Sequence, residues 1–292
     1  MKKTSILGVG ILTLFCIFPF IFSSASAEEI AIPTLFVGGN GPGNYTMIQD
    51  ALDNVSSGVT IQVFSGTYHG QIIISTPVHL IGDKKGSTIL DGDAEGYVIS
   101  LDAGHSTVSG FTITHSEKKF PFAGIYINSD NNTISNNIIT DNFYGMQLGF
   151  TAGYNLIANN TIFHNGRCGV YFNHASNNRL IGNVVFDQPA NGFGLYEFSN
   201  NNCILNNTFS QNGYTGVNIR ESYDNQVIGN TFIQDQIGLH KPSPEYHTVV
   251  RDNTFTQNVF SLEEERDAMV CTVFIFGMLV FFVYLVFRKL SI

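Results

Sequence analysis

The chain has 292 residues and a formal net charge of −9 at pH 7, because 23 Asp and Glu outnumber 14 Lys and Arg. Such an acidic chain lacks the basic surface that binds phosphate backbones, so nucleic acid is not an expected partner. Its four cysteines have no motif spacing, which excludes a disulfide framework or a cysteine-based zinc site as the basis of the fold.

The N-terminal residues have the features of a secretory signal. Lys2 and Lys3 precede an apolar run over residues 6–22, and small residues follow as far as Ala27. This order predicts a signal peptide over residues 1–27. The rest of the chain is therefore expected to be exported from the cytoplasm.

Residues 28–58 are predicted to form an N-terminal strand and a short capping helix. Thr46 and Gln49 have the spacing of a capping box, and apolar residues recur at helical spacing from Ile48 to Val55. The apolar face of this helix is expected to cover the open interior of the first coil.

Residues 59–260 are predicted to form a parallel β-helix. An Asn-rich unit recurs there every 23 or 24 residues, and its anchors are Asn137, Asn160, Asn183, Asn207, Asn230 and Asn253. This period is too short for the usual helical pairs, and the leucine-rich pattern is absent, so one β-helical turn per repeat fits best.

If each unit winds once around a shared axis, equivalent side chains stack about 4.8 Å apart. Two apolar columns then predict the core: Ile134, Ile157, Leu180, Ile204, Val227 and Val250 in one, and Ile139, Ile162, Val185, Phe209, Phe232 and Phe255 in the other. The anchor Asn residues are expected at bends, because Asn tolerates a left-handed backbone and its amide can bond to the same amide one coil away.

The C-terminal residues are predicted to anchor the chain in a membrane. An acidic linker over residues 261–268 precedes an uncharged apolar stretch, residues 269–287, which is long enough for a transmembrane helix. The basic residues of the tail, 288–292, place this tail in the cytoplasm. Without the targeting segments the exported part has ten basic and 23 acidic residues, a net charge of −13.

Several short segments resemble a known family. Phe36–Leu52, Gly66-Thr67-Tyr68, Leu80-Ile81-Gly82 and Ser109-Gly110-Phe111 are similar to the opening coils of the NosD-like proteins in the pectate-lyase-like superfamily. The resemblance covers nearly all of the chain between the signal and the membrane segment. It implies an all-β, single-stranded right-handed parallel β-helix solenoid. The residue patterns described above add a short N-terminal capping helix and one C-terminal transmembrane helix.

This resemblance is specific for fold and leaves the activity open. The wider superfamily includes polysaccharide lyases, glycoside hydrolases, C5-epimerases and an accessory protein of copper-site maturation. Function should therefore be sought in columns of outward side chains, because such columns form ladders along the stack.

The first candidate site is a strip of outward residues in the strand that follows the Gly of each coil. Strand alternation places these residues on one face: Tyr126, Tyr171, Asn173, Tyr196, Asn218 and Arg220. Tyr rings stack on sugar C–H faces, while amides and a guanidinium bond hydroxyls and carboxylates. The strip thus indicates a sugar-binding surface. The alternative is that Tyr and Asn are ordinary strand and bend residues on a solvated sheet.

The second candidate column follows the anchor Asn by four residues and contains Asp141, His164 and Asp187. Carboxylate, imidazole and carboxylate about 5 Å apart could share a metal ion or act as general acid and base on a glycosidic bond. Alternatively, these groups only neutralise one another on an acidic surface.

The leading hypothesis is a membrane-anchored extracellular β-helix for carbohydrate recognition or cell-wall association, with a polysaccharide or glycoconjugate as ligand. One alternative is a lyase, hydrolase or C5-epimerase acting on surface glycans. Another is a non-catalytic surface scaffold or a NosD-like copper-site maturation factor. No metal site or cofactor is assigned, because His, Cys and Met are dispersed along the chain.

Overall fold

The computed structural model of the chain describes residues 33–150 and 152–264. The predicted signal peptide (1–27) and the predicted transmembrane helix and tail (269–292) lie outside these residues, together with the end of the acidic linker. Within the described part, no helix is both long enough and apolar enough to cross a bilayer.

Three parallel sheets run along the described chain, and successive coils add one strand to each sheet in turn. The first sheet contains β1 (Thr34–Val37), β2 (Val59–Val63), β5 (Val78–Gly82), β8 (Thr107–Ser109), β11 (Thr133–Ser135), β14 (Leu156–Ala158), β17 (Arg179–Ile181), β20 (Cys203–Leu205), β23 (Gln226–Ile228) and β26 (Val249–Arg251). The second contains β3 (Gly66–His69), β6 (Thr88–Asp91), β9 (Thr112–Thr114), β12 (Ile138–Thr140), β15 (Thr161–Phe163), β18 (Val184–Phe186), β21 (Thr208–Ser210), β24 (Thr231–Ile233) and β27 (Thr254–Thr256). The third contains β4 (Ile72–Ile74), β7 (Ile99–Leu101), β10 (Ala123–Ile127), β13 (Tyr144–Leu148), β16 (Val170–Asn173), β19 (Phe193–Tyr196), β22 (Thr215–Ile219), β25 (Ile237–Lys241) and β28 (Phe260–Glu264).

The strand register confirms the predicted β-helix. Ile157 of β14 pairs in parallel with Leu180 of β17, and Leu180 pairs with Ile204 of β20. In the second sheet, Phe209 pairs with Phe232 one coil later. One repeat unit therefore makes one turn of the solenoid, as the 23-residue period predicts.

The stacked columns form the core. The aliphatic residues of the predicted columns between Ile134 and Val227 are fully buried, and the later rings of the second column stack face to face. Full burial of one such side chain contributes roughly 1.5–3 kcal/mol, so a core column is a major source of stability.

Two adjacent residues divide the roles expected of the bend Asn: one has the left-handed backbone, and the next forms the amide ladder. Asn159 and Asn206 take the left-handed conformation, with φ of 56° and 54°. The next residue in each coil, Asn160 or Asn207, is buried instead and builds a ladder. The backbone N–H and the amide of Asn160 both donate to Oδ1 of Asn183, each over 3.0 Å. This division explains why the repeats contain Asn-Asn or Gly-Asn pairs.

A short helix lies against the first coils. Helix α1 (Ile48–Leu52) buries its apolar face in the core, but its N-cap is Met47 and no side chain caps it, so the capping box predicted from Thr46 is not formed. Gln49 bonds instead to the backbone of Ile73, accepting from its N–H over 2.9 Å and donating to its carbonyl. Strand β4 is the edge strand of the third sheet, and the Gln49 side chain thus satisfies backbone groups that have no neighbouring strand on that side. A single 3-10 turn, Pro244–Tyr246, follows β25.

Candidate functional site

The outer face of the third sheet carries the ladder predicted from strand alternation. Tyr126, Gln147, Tyr171, Gly194 and Asn218 are paired in register on five successive coils. The inward residues between them are fully buried. The predicted orientation of this face is therefore confirmed.

The tyrosine rings of this face stack on one another. Tyr97 and Tyr126 are nearly parallel with centroids 4.6 Å apart, and Tyr144 and Tyr171 are nearly parallel at 4.8 Å. On its other side Tyr171 meets Tyr196 at 5.4 Å. Tyr171 thus offers its edge and hydroxyl to a ligand instead of the open ring face expected from the sequence.

A groove of about 610 Å³ opens on this face, a volume within the range of small-ligand sites. Its lining residues are Phe120, Tyr144, Arg167, Cys168, Tyr171, Pro189, Ala190, Asn191, Tyr196, Glu197, Tyr214, Asn218, Arg220 and Glu221. The groove therefore combines a tyrosine floor with charged and amide groups at its rims.

Longer bends between the second and third sheets build one rim. A buried amide residue ends each of these coils' second-sheet bends and is followed by the glycine of the third-sheet strand. In three middle coils the two are four positions apart, as Asn165 and Gly169 are, whereas Asn142 and Gly145 in the coil before are three positions apart. These bends supply Arg167, Asn191 and other lining residues. The sequence therefore contained a signal for the rim, in the spacing of the repeats.

Tyr196 lies close against its own strand. A Cβ added at Gly194 would lie 2.4 Å from Cε2 of Tyr196, so only glycine leaves space for this ring. The Tyr196 hydroxyl accepts a hydrogen bond from Nδ2 of Asn191 over 2.7 Å, and Oδ1 of Asn191 accepts one from the Thr215 hydroxyl over 2.7 Å. The ring is thus fixed as part of the groove wall.

Gly194→Ala is expected to displace the Tyr196 ring and to destabilise the protein by about 1–3 kcal/mol, the usual effect of overpacking. Denaturant unfolding followed by circular dichroism measures this change. Gly86→Ala is the control, because a Cβ there meets no atom within 4 Å. Equal stabilities of the two variants would contradict the packing described for Tyr196.

Two arginines stand at the groove without carboxylate partners. Arg167 and Arg220 are exposed, and neither takes part in an ion pair within the described residues. Their coils are two apart, which separates them by roughly 10 Å along the axis. Glu197 and Glu221 lie beside Arg220, at equivalent bends of successive coils. An anionic ligand would therefore meet two free guanidinium groups.

Neutral polar groups complete the floor. Asn218 is 3% exposed, and its Oδ1 atom is buried with no hydrogen-bond partner in the described structure. Burial raises the pKa of Tyr144 to about 12 and also raises the pKa of Tyr196 well above its usual value. Both phenols are thus protonated donors at neutral pH, while Asn218 has an acceptor to satisfy.

The structure brings four of the six predicted ligand-binding residues together. Tyr171, Tyr196, Asn218 and Arg220 line the groove, and Tyr126 extends the same face towards the N-terminal coils. The sixth residue, Asn173, is not part of the lining. Its amide nitrogen donates to Oε2 of Glu197 over 3.0 Å and so helps to hold that carboxylate in place. Sequence reasoning did not assign Arg167 or Asn191 to this site.

The second predicted column lies elsewhere, on the bend that follows the second sheet. Asp141, His164 and Asp187 all have left-handed backbones and precede residues of a buried amide ladder. Nε2 of His164 lies 2.7 Å from Oδ2 of Asp187, and both side chains are more than half exposed. Asp141 bonds to Thr140 instead, and none of the three lines the groove. The bend conformation alone accounts for these residue types.

Comparison with known proteins identifies the family of the chain. The family described as "Periplasmic copper-binding protein (NosD)" matches residues 82–270. The chain belongs to the NosD family. The periplasmic description of this family supports an extracytoplasmic location for the β-helix. No curated protein matches the chain.

Solved structures similar to this NosD-family chain share its fold at low sequence identity. Pectate lyase Pel9A has a TM-score of 0.63 at 15% identity, over 82% of this chain and 80% of that one. The AlgE6 A-module, a mannuronan C-5 epimerase of Azotobacter vinelandii, has a TM-score of 0.55 at 14% identity, over 74% of each chain. An alginate lyase from Paenibacillus sp. str. FPU-7 has a TM-score of 0.53 at 15% identity, over 75% and 95%.

The sulfur ligands typical of a Cu⁺ site are not gathered in the described part of this NosD-family chain. Cys168 is buried beside Asn191, and burial raises the pKa of its thiol, whereas thiolate is the form that binds metal. Met146 belongs to the core and Met47 is exposed beside helix α1. The described residues therefore do not fit a thiolate and thioether copper site.

Proposed function

We propose that the groove of the third sheet binds an acidic polysaccharide outside the cytoplasm. The observation that carries this proposal is a pair of guanidinium groups beside a tyrosine floor, those of Arg167 and Arg220, neither of which forms an ion pair in the described part of the chain. Arg binds carboxylates through two parallel hydrogen bonds, so two such groups in one groove favour a ligand with repeated carboxylates.

The polar floor fits the rest of a sugar. Sugar hydroxyls can accept hydrogen bonds from the protonated phenols of Tyr144 and Tyr196. The exported chain has a net charge of −13, which repels a polyanion at long range. Binding is therefore expected to depend on local contacts to the two arginines. The anchor predicted at residues 269–287 would hold the groove near a membrane surface.

The test uses the full-length chain in detergent and isothermal titration calorimetry with oligogalacturonate. Arg220→Gln is expected to weaken binding about tenfold or more, because a hydrogen bond between charged groups contributes roughly 1.5–3 kcal/mol and 1.4 kcal/mol is a factor of ten. Arg179→Gln is the matched control, an exposed arginine on the first sheet. Its affinity should stay within a factor of two of the wild type.

The methyl-esterified oligosaccharide of equal length, which carries no charge, is the ligand control. Equal affinities for the charged and esterified chains would refute recognition of carboxylates. No binding of either chain would refute the proposal and leave the scaffold hypothesis standing. Tyr171→Ala removes the central ring of the floor and should also weaken binding of the charged chain.

One observation favours glycan cleavage as a second function. Glu197 and Glu221 occupy equivalent bends on successive coils, so their backbones lie about one coil rise, roughly 5 Å, apart beside Arg220. A pair of carboxyl groups at about this separation is typical of retaining glycosidases. Release of reducing ends from the bound oligosaccharide, lost in Glu221→Gln, would establish hydrolysis. Release of reducing ends that persists in this variant would exclude Glu197 and Glu221 as the catalytic pair.

A further inference from the structure

We propose that His69, Asp91 and Asp93 bind a divalent transition-metal ion that takes imidazole and carboxylate ligands, such as Zn²⁺ or Cu²⁺. The site lies at the N-terminal end of the second sheet, outside the groove, and does not depend on the function proposed for the groove. One ligand atom from each of the three residues can be chosen so that all lie within 4.8 Å of one another.

The β-helical register brings the three residues together. His69 ends β3 and pairs with Asp91, which ends β6 one coil later. Asp93 follows two residues on, with a left-handed backbone (φ 54°), and its Oδ1 atom lies 2.8 Å from Nδ1 of His69. A metal ion bound here would replace the proton that now bridges imidazole and carboxylate.

Asp91 is held in place by two further contacts. Its Oδ1 accepts a hydrogen bond from the Asp93 backbone N–H over 3.0 Å, and its Oδ2 lies 3.0 Å from Nδ1 of His115. Metal-binding carboxylates usually have such outer partners, which orient them towards the ion. His115 is therefore a positioning residue of this site, and Asp91 is its least exposed ligand.

The donor set selects the class of ion. One imidazole and two carboxylates suit Zn²⁺ and Cu²⁺, whereas Ca²⁺ prefers oxygen ligands alone and Cu⁺ prefers sulfur. The side chains of His69 and Asp93 are 62% and 49% exposed, so three protein ligands would leave coordination positions open to solvent. A site with open positions can exchange its ion with the solution, whereas a structural site is closed by four protein ligands.

The same solenoid offers a matched control. His164 and Asp187 form an ion pair of 2.7 Å with side chains 55% and 56% exposed, close to the values of His69 and Asp93. No third ligand joins this pair within the described residues. A pair of donors gives one ligand fewer than a triad, so removing His164 should not affect the tight binding of a metal ion.

The test is a competition titration of Zn²⁺ against a chromophoric chelator, using the full-length metal-free chain in detergent without a polyhistidine tag. One equivalent of Zn²⁺ is expected to bind with micromolar affinity or better. His69→Ala and Asp93→Asn should each weaken binding by at least tenfold, and His115→Ala should weaken it about tenfold or more, in the range found for outer partners. His164→Ala should leave the affinity unchanged.

Cu²⁺ gives an independent readout that does not depend on affinity. Electron paramagnetic resonance of the Cu²⁺-loaded chain should show nitrogen coupling from one imidazole, and this coupling should be lost in His69→Ala. Circular dichroism checks that each variant is folded, which is expected because His69 is exposed. The proposal is overturned if no equivalent binds, if His69→Ala binds like the wild type, or if His164→Ala weakens binding equally.

Discussion

Asn183→Ala is expected to destabilise the β-helix by about 4 kcal/mol, since it leaves several buried groups without partners and each costs roughly 1–3 kcal/mol. Oδ1 of Asn183 accepts from the backbone N–H and the side-chain amide of Asn160. Its Nδ2 donates to the carbonyl of Ile157 over 2.9 Å and to Oδ1 of Asn207 over 2.9 Å. The alanine variant removes these four contacts, and a longer one to the carbonyl of Ile181, from a buried position between β17 and β18.

Denaturant unfolding of the variant and the wild type measures this effect. Asn206→Gly is the matched control, because Asn206 is an exposed left-handed residue and the same bend position is glycine at Gly182 and Gly229. Its stability should change by no more than about 0.5 kcal/mol. If both variants lost the same stability, the ladder would contribute no more than the bend, contrary to the role described for it.

Asp235→Asn is expected to stabilise the protein at pH 7.5 by on the order of 2 kcal/mol. Asp235 is 1% exposed and stands where other coils have Asn or Gln in a buried ladder. Burial raises the pKa of its carboxyl to about 6 from 3.8, although two hydrogen bonds from Asn212 oppose the shift. Two rungs earlier in the same ladder, the Nε2 group of Gln188 donates to backbone carbonyls. An Asn at this position can do the same, whereas a carboxylate cannot.

The direction of the pH dependence follows from the raised pKa. A group with a higher pKa in the folded state stabilises that state when protonated, so the contribution is complete below pH 4 and is lost as the pH rises through 6. The wild type should therefore gain on the order of 2 kcal/mol between pH 7.5 and pH 4, since one pKa unit corresponds to about 1.4 kcal/mol. Asp235→Asn should lack this component.

Unfolding at both pH values separates this component from the other titrations of the protein. Asp252→Asn is the control, because Asp252 is an exposed bend residue whose neighbour Arg251 forms an ion pair with it. A variant Asp235→Asn that is less stable than the wild type at pH 7.5 would show that the carboxylate makes favourable contacts in the ladder.

The columns of the core could be predicted because the solenoid turns a sequence period directly into a spatial neighbour. Ile157 and Leu180 are 23 residues apart and pair directly. The bend chemistry was only partly predicted, since the period does not show which of two adjacent Asn residues has the left-handed backbone. Asn159 has it, and Asn160 builds the ladder.

The candidate sites were less accessible to such reasoning. His69 and Asp91 belong to early coils without the regular Asn anchor, so no column joined them to Asp93. One clue was present. The anchor position of the coil before Asn137 is Phe111, and four residues later stands His115, in line with the Asp141 column.

The sequence by itself determined the repeat, the core columns and the face on which Tyr171 and Tyr196 lie, because stacking of identical coils leaves each position one possible neighbour. Only the tertiary structure decided the groove, since the repeat spacing shows that the middle coils have longer bends but not that Arg167 and Asn191 of these bends line one groove with Tyr171 and Arg220. The tertiary structure also decided which parts of the tyrosine rings a ligand can contact. Tyr171 stacks on Tyr144 of one adjacent coil and packs at a tilt against Tyr196 of the other, and the orientation of a ring cannot be read from the sequence.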